Sequence, residues 1–366
     1  MRIFFDHQTF SLQNYGGISR YFCELITGIN KTSEHNAHLS LFWSNNTHLE
    51  EYNLKALSYP FKSKYSRLLH KSNQLYNYID YKISPYDIYH TTYFDDFLSS
   101  RIGSNPFITT FYDMIYERLS HKFTELSNDK LIISQKKKIA QKASHLIAIS
   151  ESTKQDMIEL MDIAPEKITV IHLGSSFSIN TTNPINLLPS TKQPYLLYVG
   201  NRSGYKNFIP FLQSIAHLII RHQIKLICAG GGNFTVGEKN IIRSLLIDNF
   251  IEYQPINDAI LQNLYREATA FIFPSLYEGF GIPVLEAFSC DCPCVVSNTS
   301  SLPEVAGEAA LYIDPSEPES MANAIENIIL DNNLRNTLIK RGRRQLSNFS
   351  WANTVQETIA LYSKLT

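Results

Sequence analysis

Short apolar runs alternate with longer amphipathic stretches along this chain, and the series occurs twice. The first series holds "RIFFD", "DIYHTT", "FITTFY", "HLIAIS" and "ITVIHL". After Gly16 and Gly17, "ISRYFCELITGI" has the spacing of a helix that buries one face. The second series holds "YLLYVG", "KLICAG", "FIEYQ", "AFIFPS", "CVVSN" and "ALYID". Strands of this kind separated by helices predict parallel sheets with crossover helices, an α/β architecture. The polar, proline-bearing stretch "NTTNPINLLPSTKQP", residues 180–194, reads as a linker between the two series. A length of 366 residues also exceeds what one core usually supports. The expectation is therefore two doubly wound, Rossmann-like domains, residues 1–180 and 190–348. A single amphipathic helix, "FSWANTVQETIALYSKL", follows within residues 349–366.

Bulk properties narrow the function classes. A net charge of −1 excludes a strongly basic nucleic-acid footprint at whole-chain level. The five cysteines, Cys23, Cys228, Cys290, Cys292 and Cys294, are odd in number and lack disulfide-like spacing, as in a reducing compartment. "MRIFFDHQTF" lacks the features of a signal peptide, and no run of about 18 apolar residues is present. The expectation is a cytoplasmic protein, with contact to a membrane surface left open. The alternating Cys290, Cys292 and Cys294 do not have zinc-ribbon spacing, so no metal is expected.

The chemistry concentrates in "PSLYEGFGIPVLEA", residues 274–287. A buried parallel strand ends near Pro274, and ligands of such sheets sit at the carboxyl ends of strands. Gly279 and Gly281 let the backbone approach a ligand. Pro283 suits a first helical position, placing Glu286 in the first turn and Glu278 on the loop before it. Two carboxylates there suit paired hydroxyls, as on sugars and ribose. The bland alternative is a structural loop whose Glu286 complements the helix dipole. A second site is "YVGNRSGYKNF". Arg202 and Lys206 follow a strand, beside a helix that Asn207 could cap, an arrangement suited to a diphosphate. A solvated surface pair is the alternative. Gly16 and Gly17, and the tract Gly230 to Gly232, are weak signals alone. His90 ends a strand and either faces a ligand cleft or is a satisfied structural histidine. Tyr112 and Asp113 sit similarly; Asp113 either orients an acceptor hydroxyl or caps a helix.

Together these stretches resemble the retaining glycosyltransferases of family 4, with the two-domain GT-B fold. The resemblance is carried by Glu278 and Glu286 with seven residues between them, "EGFGIP", "YVGNRSGYKN", "SLPEVAGEAALYIDP", "GGISRYFCEL" and "HLIAISESTKQDM…KITVIHLG". It covers nearly the whole chain and is nearest to bacterial O-antigen or capsule enzymes, often mannosyltransferases of lipopolysaccharide synthesis. It implies two domains facing a cleft, with the last helix packing back on the first domain. It implies that Arg202 and Lys206 bind the donor diphosphate, that Glu286 holds ribose, and that Glu278 faces the hexose. Backbone N–H groups of Gly279, Phe280, Gly281 and Ile282 would lie nearby, and Gly16 and Gly17 beside the diphosphate. Where relatives often carry His-Asp, this chain has Tyr112-Asp113. Where many carry Gly, it has Asp291, which tolerates a left-handed turn.

The activity implied is metal-independent hexose transfer, with retention, from a nucleotide-diphosphate sugar to an acceptor hydroxyl. GDP-mannose or a related GDP-hexose is favoured, on the resemblance alone. A nucleotide-sugar epimerase and a non-catalytic nucleotide-binding scaffold are the competing readings. The basic, tyrosine-bearing stretch from Lys55 to Lys82 and the basic stretch 134–145 suggest peripheral docking on the inner membrane, facing a lipid-linked glycan acceptor.

Overall fold

Strands buried on both faces read as continuous apolar runs, and they pair in parallel where helices cover both faces. The computed structural model, which describes residues 1–59, 66–127, 130–175, 177, 193–202 and 204–366, contains two such sheets, each of six strands. Most of the linker-like stretch, and Lys62 and Lys64, lie outside the described residues. The chain divides into two compact units: Met1–Leu173 with Trp351–Thr366, and Gly174–Ser350.

In the first unit the strands are β1 (Arg2–Phe5), β2 (Asn36–Leu39), β3 (Ile88–Thr91), β4 (Phe107–Phe111), β5 (His145–Ala148) and β6 (Ile168–Val170), in the order β2-β1-β3-β4-β5-β6. Every pairing is parallel. The core is aromatic: Phe4, Phe5, Phe22, Tyr89 and Phe107 are fully or almost fully buried. The last helix, Trp351–Leu365, belongs to this unit, with Val355, Leu361 and Tyr362 buried. Its Thr354 hydroxyl donates to the carbonyl of His172 at 2.7 Å.

In the second unit the strands are β7 (Tyr195–Val199), β8 (Lys225–Ala229), β9 (Ile251–Gln254), β10 (Ala270–Phe273), β11 (Cys294–Ser297) and β12 (Ala310–Ile313). Their order is β12-β11-β10-β7-β8-β9, again all parallel. The helix Phe208–His222 buries Phe211, Leu212, Ile215, Leu218 and Ile219, the apolar stripe of a 3.6-residue period. That stripe joins Leu196, Tyr198, Leu226 and Ile272 in one core.

The two orders differ. From β7 outwards the second unit follows the dinucleotide-fold pattern, with its direction of winding reversing between β7 and β10. The first unit has the flavodoxin-like pattern, reversing between β1 and β3.

Candidate functional site

Ligands of doubly wound sheets bind beyond the strand ends where the winding reverses. In the second unit those neighbours are β7 and β10. β7 runs into Gly200, Asn201 and Arg202, then a short turn, Gly204–Lys206, and the helix Phe208–His222. β10 runs into "PSLYEGFG" and the helix Ile282–Ser289. The backbone N–H of Leu276 donates to the carbonyl of Tyr205 at 2.8 Å, holding the two loops together.

Lys206 and Glu278 meet across these loops, with Nζ 2.7 Å from Oε1 and side chains 15% and 11% exposed. The Lys206 ammonium also lies 5.1 Å from the Tyr205 ring centre and 5.5 Å from that of Phe273. A third loop, after β11, clamps the glutamate. The N–H of Glu278 donates to Ser300 Oγ at 2.9 Å. The single hydroxyl proton of Ser301 is shared between the carbonyls of Glu278 and Phe280, at 2.9 and 2.8 Å. Sequence reasoning assigned no role to Ser300 or Ser301, although Ser301 begins a stretch that carried the resemblance.

Gly281 precedes the helix with φ +114°, and a Cβ there would sit 2.9 Å from Leu302 Cδ2. The turn that aims the helix N-terminus therefore requires glycine. Because the helix begins at Ile282, Glu286 is its fifth residue. It lies in the second turn rather than the first, is buried, and accepts from the Tyr265 hydroxyl at 3.3 Å. Burial, then the Glu286 charge, pushes the Tyr265 phenol well above its usual range.

Arg202 is placed differently from Lys206. Its side chain is only 4% exposed. Nε donates to Glu238 Oε1 at 2.6 Å, and Nη2 donates to the carbonyls of Gly232 and Asn233 at 2.9 and 3.1 Å. The guanidinium lies 4.8 Å from the Phe234 ring centre and 5.7 Å from that of Phe208. The picture of two solvated surface cations thus gives way to one cation at the β7–β10 crevice and one buried against the loop after β8. Glu238 also closes the capping box of the helix Val236–Ser244. Burial raises its pKa, but the Arg202 and Thr235 hydrogen bonds prevail and hold it below the ordinary range. The Gly230 to Gly232 tract lets this happen. A Cβ on Gly231 would strike the backbone of Gly200 and Asn201, so only glycine allows these two loops to touch. Asn207 corrects another expectation. It has φ +58°, and its side chain donates to the carbonyl of Pro315 at 2.6 Å instead of capping the helix.

In the first unit, Gly16 is extended (φ 167°, ψ 163°) and Gly17 opens the helix Gly17–Asn30. His90 does not face a ligand. It is wholly buried, with Nδ1 2.5 Å from the Tyr362 hydroxyl and Nε2 2.9 Å from Thr110 Oγ1. Burial lowers its pKa to about 3, so the ring is a neutral structural group. Tyr112 is also buried, its hydroxyl donating to the Thr92 carbonyl at 3.2 Å. Asp113 retains partial exposure, and its Oδ1 accepts from the N–H of Ile115 at 3.1 Å. Its carbonyl accepts from Lys136 Nζ at 2.9 Å. Lys136, taken with the basic stretch 134–145, is buried and paired with Asp113 and Glu117 at 3.3 Å each.

The sequence reading passed over Asp6. This buried carboxylate accepts from the hydroxyls of Tyr89, Thr91 and Thr92 at 2.5, 2.7 and 2.6 Å. It also accepts from the N–H groups of Gln8 and Thr92 and the Gln8 side chain, at 3.2, 3.0 and 2.8 Å. The available signal was an acid directly after a buried strand.

Residues 15–176 match the family "Glycosyltransferase Family 4", and residues 180–345 match "Glycosyl transferases group 1". The chain is 30% identical over 319 residues to the O-antigen chain mannosyltransferase B of Escherichia coli, covering 82% of this chain and 79% of that protein. It is 26% identical over 190 residues to the O-antigen chain mannosyltransferase RfbU of Salmonella typhimurium, 51% and 52% of the two chains. Among solved structures, sucrose-phosphate synthase from Thermosynechococcus elongatus superposes with a TM-score of 0.78 at 18% identity, covering 100% of this chain and 98% of that one. Anabaena HepE in complex with UDP-glucose gives 0.75 at 18% identity, with both chains fully covered.

Proposed function

The chain belongs to the family 4 glycosyltransferases of the GT-B fold, and from that premise we propose that it transfers mannose from GDP-mannose to a hydroxyl of a glycan acceptor, with retention, in O-antigen-type polysaccharide synthesis. The observation that carries this reading is the Lys206–Glu278 pair, set where β7 and β10 end side by side.

In this reading Lys206 faces the diphosphate and opposes the negative charge that grows there as the bond from C1 to phosphate oxygen breaks. Its pairing with Glu278 fixes the ammonium before the donor arrives. Glu278 in turn accepts from hexose hydroxyls, and Ser300 and Ser301 hold its backbone. Glu286, in the second turn of the helix that follows, accepts the ribose hydroxyls, with the Tyr265 hydroxyl orienting it. N–H groups from Gly279 to Ile282 and the helix N-terminus add positive potential. Arg202 acts from behind, by holding the loops after β7 and β8 together. The acceptor oxygen bonds to C1 on the face the phosphate leaves, and a phosphate oxygen takes the acceptor proton. A double displacement would need a carboxylate free to act as nucleophile. Glu278 is ion-paired with Lys206, which favours the single front-face step. With a lysine at the diphosphate, the reading requires no metal.

The mannosyl donor is supported by the named relatives, and a lipid-linked acceptor at the inner membrane surface fits the same pathway. The test is incubation with a panel of GDP- and UDP-sugars, with and without lipid-linked acceptor. Acceptor-dependent mannose transfer from GDP-mannose is the expected result. Release of an altered free sugar would indicate an epimerase, and inertness toward every donor a binding scaffold.

A further inference from the structure

The helix Ser66–Ile83 of the first unit is built inside out. The residues it buries are polar. The Asn73 side-chain amide donates to Ser11 Oγ at 2.8 Å and to the Trp43 carbonyl at 2.9 Å. That of Asn77 donates to the Ser40 carbonyl at 2.6 Å. Asp80 Oδ2 lies 2.7 Å from His38 Nε2. Its aliphatic residues are among those it exposes: Leu68 at 65%, Leu75 at 58%, Ile79 at 50% and Ile83 at 75%. Their spacing of seven, four and four places them on one stripe. At 1.5 Å per residue that stripe is about 22 Å long. Scattered exposed leucines are ordinary; an aligned stripe backed by a polar anchor is not.

Charge tells what covers it. Arg67, Lys71 and Lys82 are exposed along one flank of the stripe. Asp80, the helix's one acid, is turned inward against His38. Tyr76 is half-exposed on the other flank, stacked on Phe42 with ring centres 5.4 Å apart. Cations and a tyrosine bordering an aliphatic stripe are the composition of a helix lying in a lipid interface. Protein-binding surfaces instead concentrate energy in buried aromatic and arginine anchors. No described helix is long and apolar enough to cross a membrane.

We propose that the outer face of the helix Ser66–Ile83 lies in the surface of an anionic lipid bilayer, with Leu68, Leu75, Ile79 and Ile83 below the headgroups and Arg67, Lys71 and Lys82 among the phosphates. This gives a surface to the peripheral contact proposed above. It is tested without donor or acceptor, so it stands or falls separately from the reaction.

The experiment is sedimentation with phosphatidylglycerol-containing vesicles and with pure phosphatidylcholine vesicles, at low and high salt. The protein should partition to the anionic vesicles at low salt and retain a salt-resistant remainder. Lys71→Ser with Lys82→Ser should weaken the low-salt partitioning about fivefold per cation removed. Leu75→Ser with Ile79→Ser should abolish the salt-resistant remainder while leaving the melting temperature unchanged, since both positions are exposed. As a check that needs no loss of binding, the fluorescence of an Ile79→Trp variant should shift to the blue on anionic vesicles and be quenched by spin-labelled lipid. Equal partitioning to both vesicle types, wild-type binding by the Leu75→Ser, Ile79→Ser double variant, unquenched fluorescence from the Ile79→Trp variant, or a wild-type dimer that the double variant converts to monomer would each overturn the proposal.

Discussion

The two units place a topological switch at the ends of their first strands, yet they fill it in opposite ways. In the first unit, Asp6 at the end of β1 reaches Thr91 and Thr92 at the end of β3 and is saturated by donors. A small cavity beside Asp6, lined also by Gln8, Asn77 and Asp95, is about 10 Å³, room for one water at most. In the second unit, Lys206 after β7 reaches Glu278 after β10, and the surrounding loops are shaped by Gly231 and Gly281. Strand order decides where a crevice can form. The residues on the loops decide whether that crevice is sealed for stability or kept as a charged, glycine-lined site.

This comparison can be broken most sharply at Asp6. Asp6→Ala should destabilise the protein by about 3–5 kcal/mol in urea unfolding, because it strands several buried donors that each cost about 1–3 kcal/mol. A loss below about 1 kcal/mol would mean that the first switch is not a structural knot. On the other side, the two glutamates should separate. Glu286→Ala should weaken binding of the nucleoside diphosphate by about ten- to a hundredfold, the loss of hydrogen bonds to a charged group. Glu278→Ala should lower turnover more than it lowers that affinity. Calorimetric titration beside initial rates checks this, and equal losses in both quantities for both variants would contradict the assignment. A smaller effect is expected one layer back. Tyr265→Phe should weaken nucleotide binding about fivefold, in line with about 1 kcal/mol for one neutral donor.

The smallest effect concerns pH and belongs to the sealed unit. The folded state holds His90 neutral down to about pH 3, because the ring is buried. The unfolded chain takes up that proton near its ordinary pKa of 6.5. The stability due to the neutral ring is therefore complete above pH 6.5 and declines as pH falls through this window. Urea unfolding of the wild type and of His90→Gln at about pH 7.5 and about pH 5 should show a steeper pH dependence in the wild type.

Much of this was legible from residue patterns, and the exceptions have physical causes. The second sheet is predicted strand by strand, because β7, β10 and β11 are buried on both faces and read as apolar runs. β2 escapes because it is an edge strand with exposed Asn36 and half-exposed His38, so its pattern is not apolar. Lys206, Glu278 and Glu286 stand out as charges beside glycines after buried strands. The burial of Arg202 does not, because its partner Glu238 lies 36 residues away, in the first turn of the helix Val236–Ser244. For the same reason the Gly230 to Gly232 tract looks like any tight turn until the loop after β7 is placed against it. The inverted helix Ser66–Ile83 shows only as a basic, tyrosine-bearing stretch, since which face is buried depends on the residues packed beneath it.

The central claim is that the β7–β10 crevice takes the donor diphosphate, and Lys206→Met tests it most directly. The measurement is the initial rate of sugar transfer from the donor that the wild type turns over, at saturating donor, with thermal melts confirming the fold. Removing one preorganised positive group from the leaving-group site should lower turnover by about 10²–10³-fold. The double variant Lys206→Met with Glu278→Gln, which leaves no uncompensated carboxylate, should melt like the wild type and remain as inactive. Near-normal turnover by Lys206→Met would contradict the account.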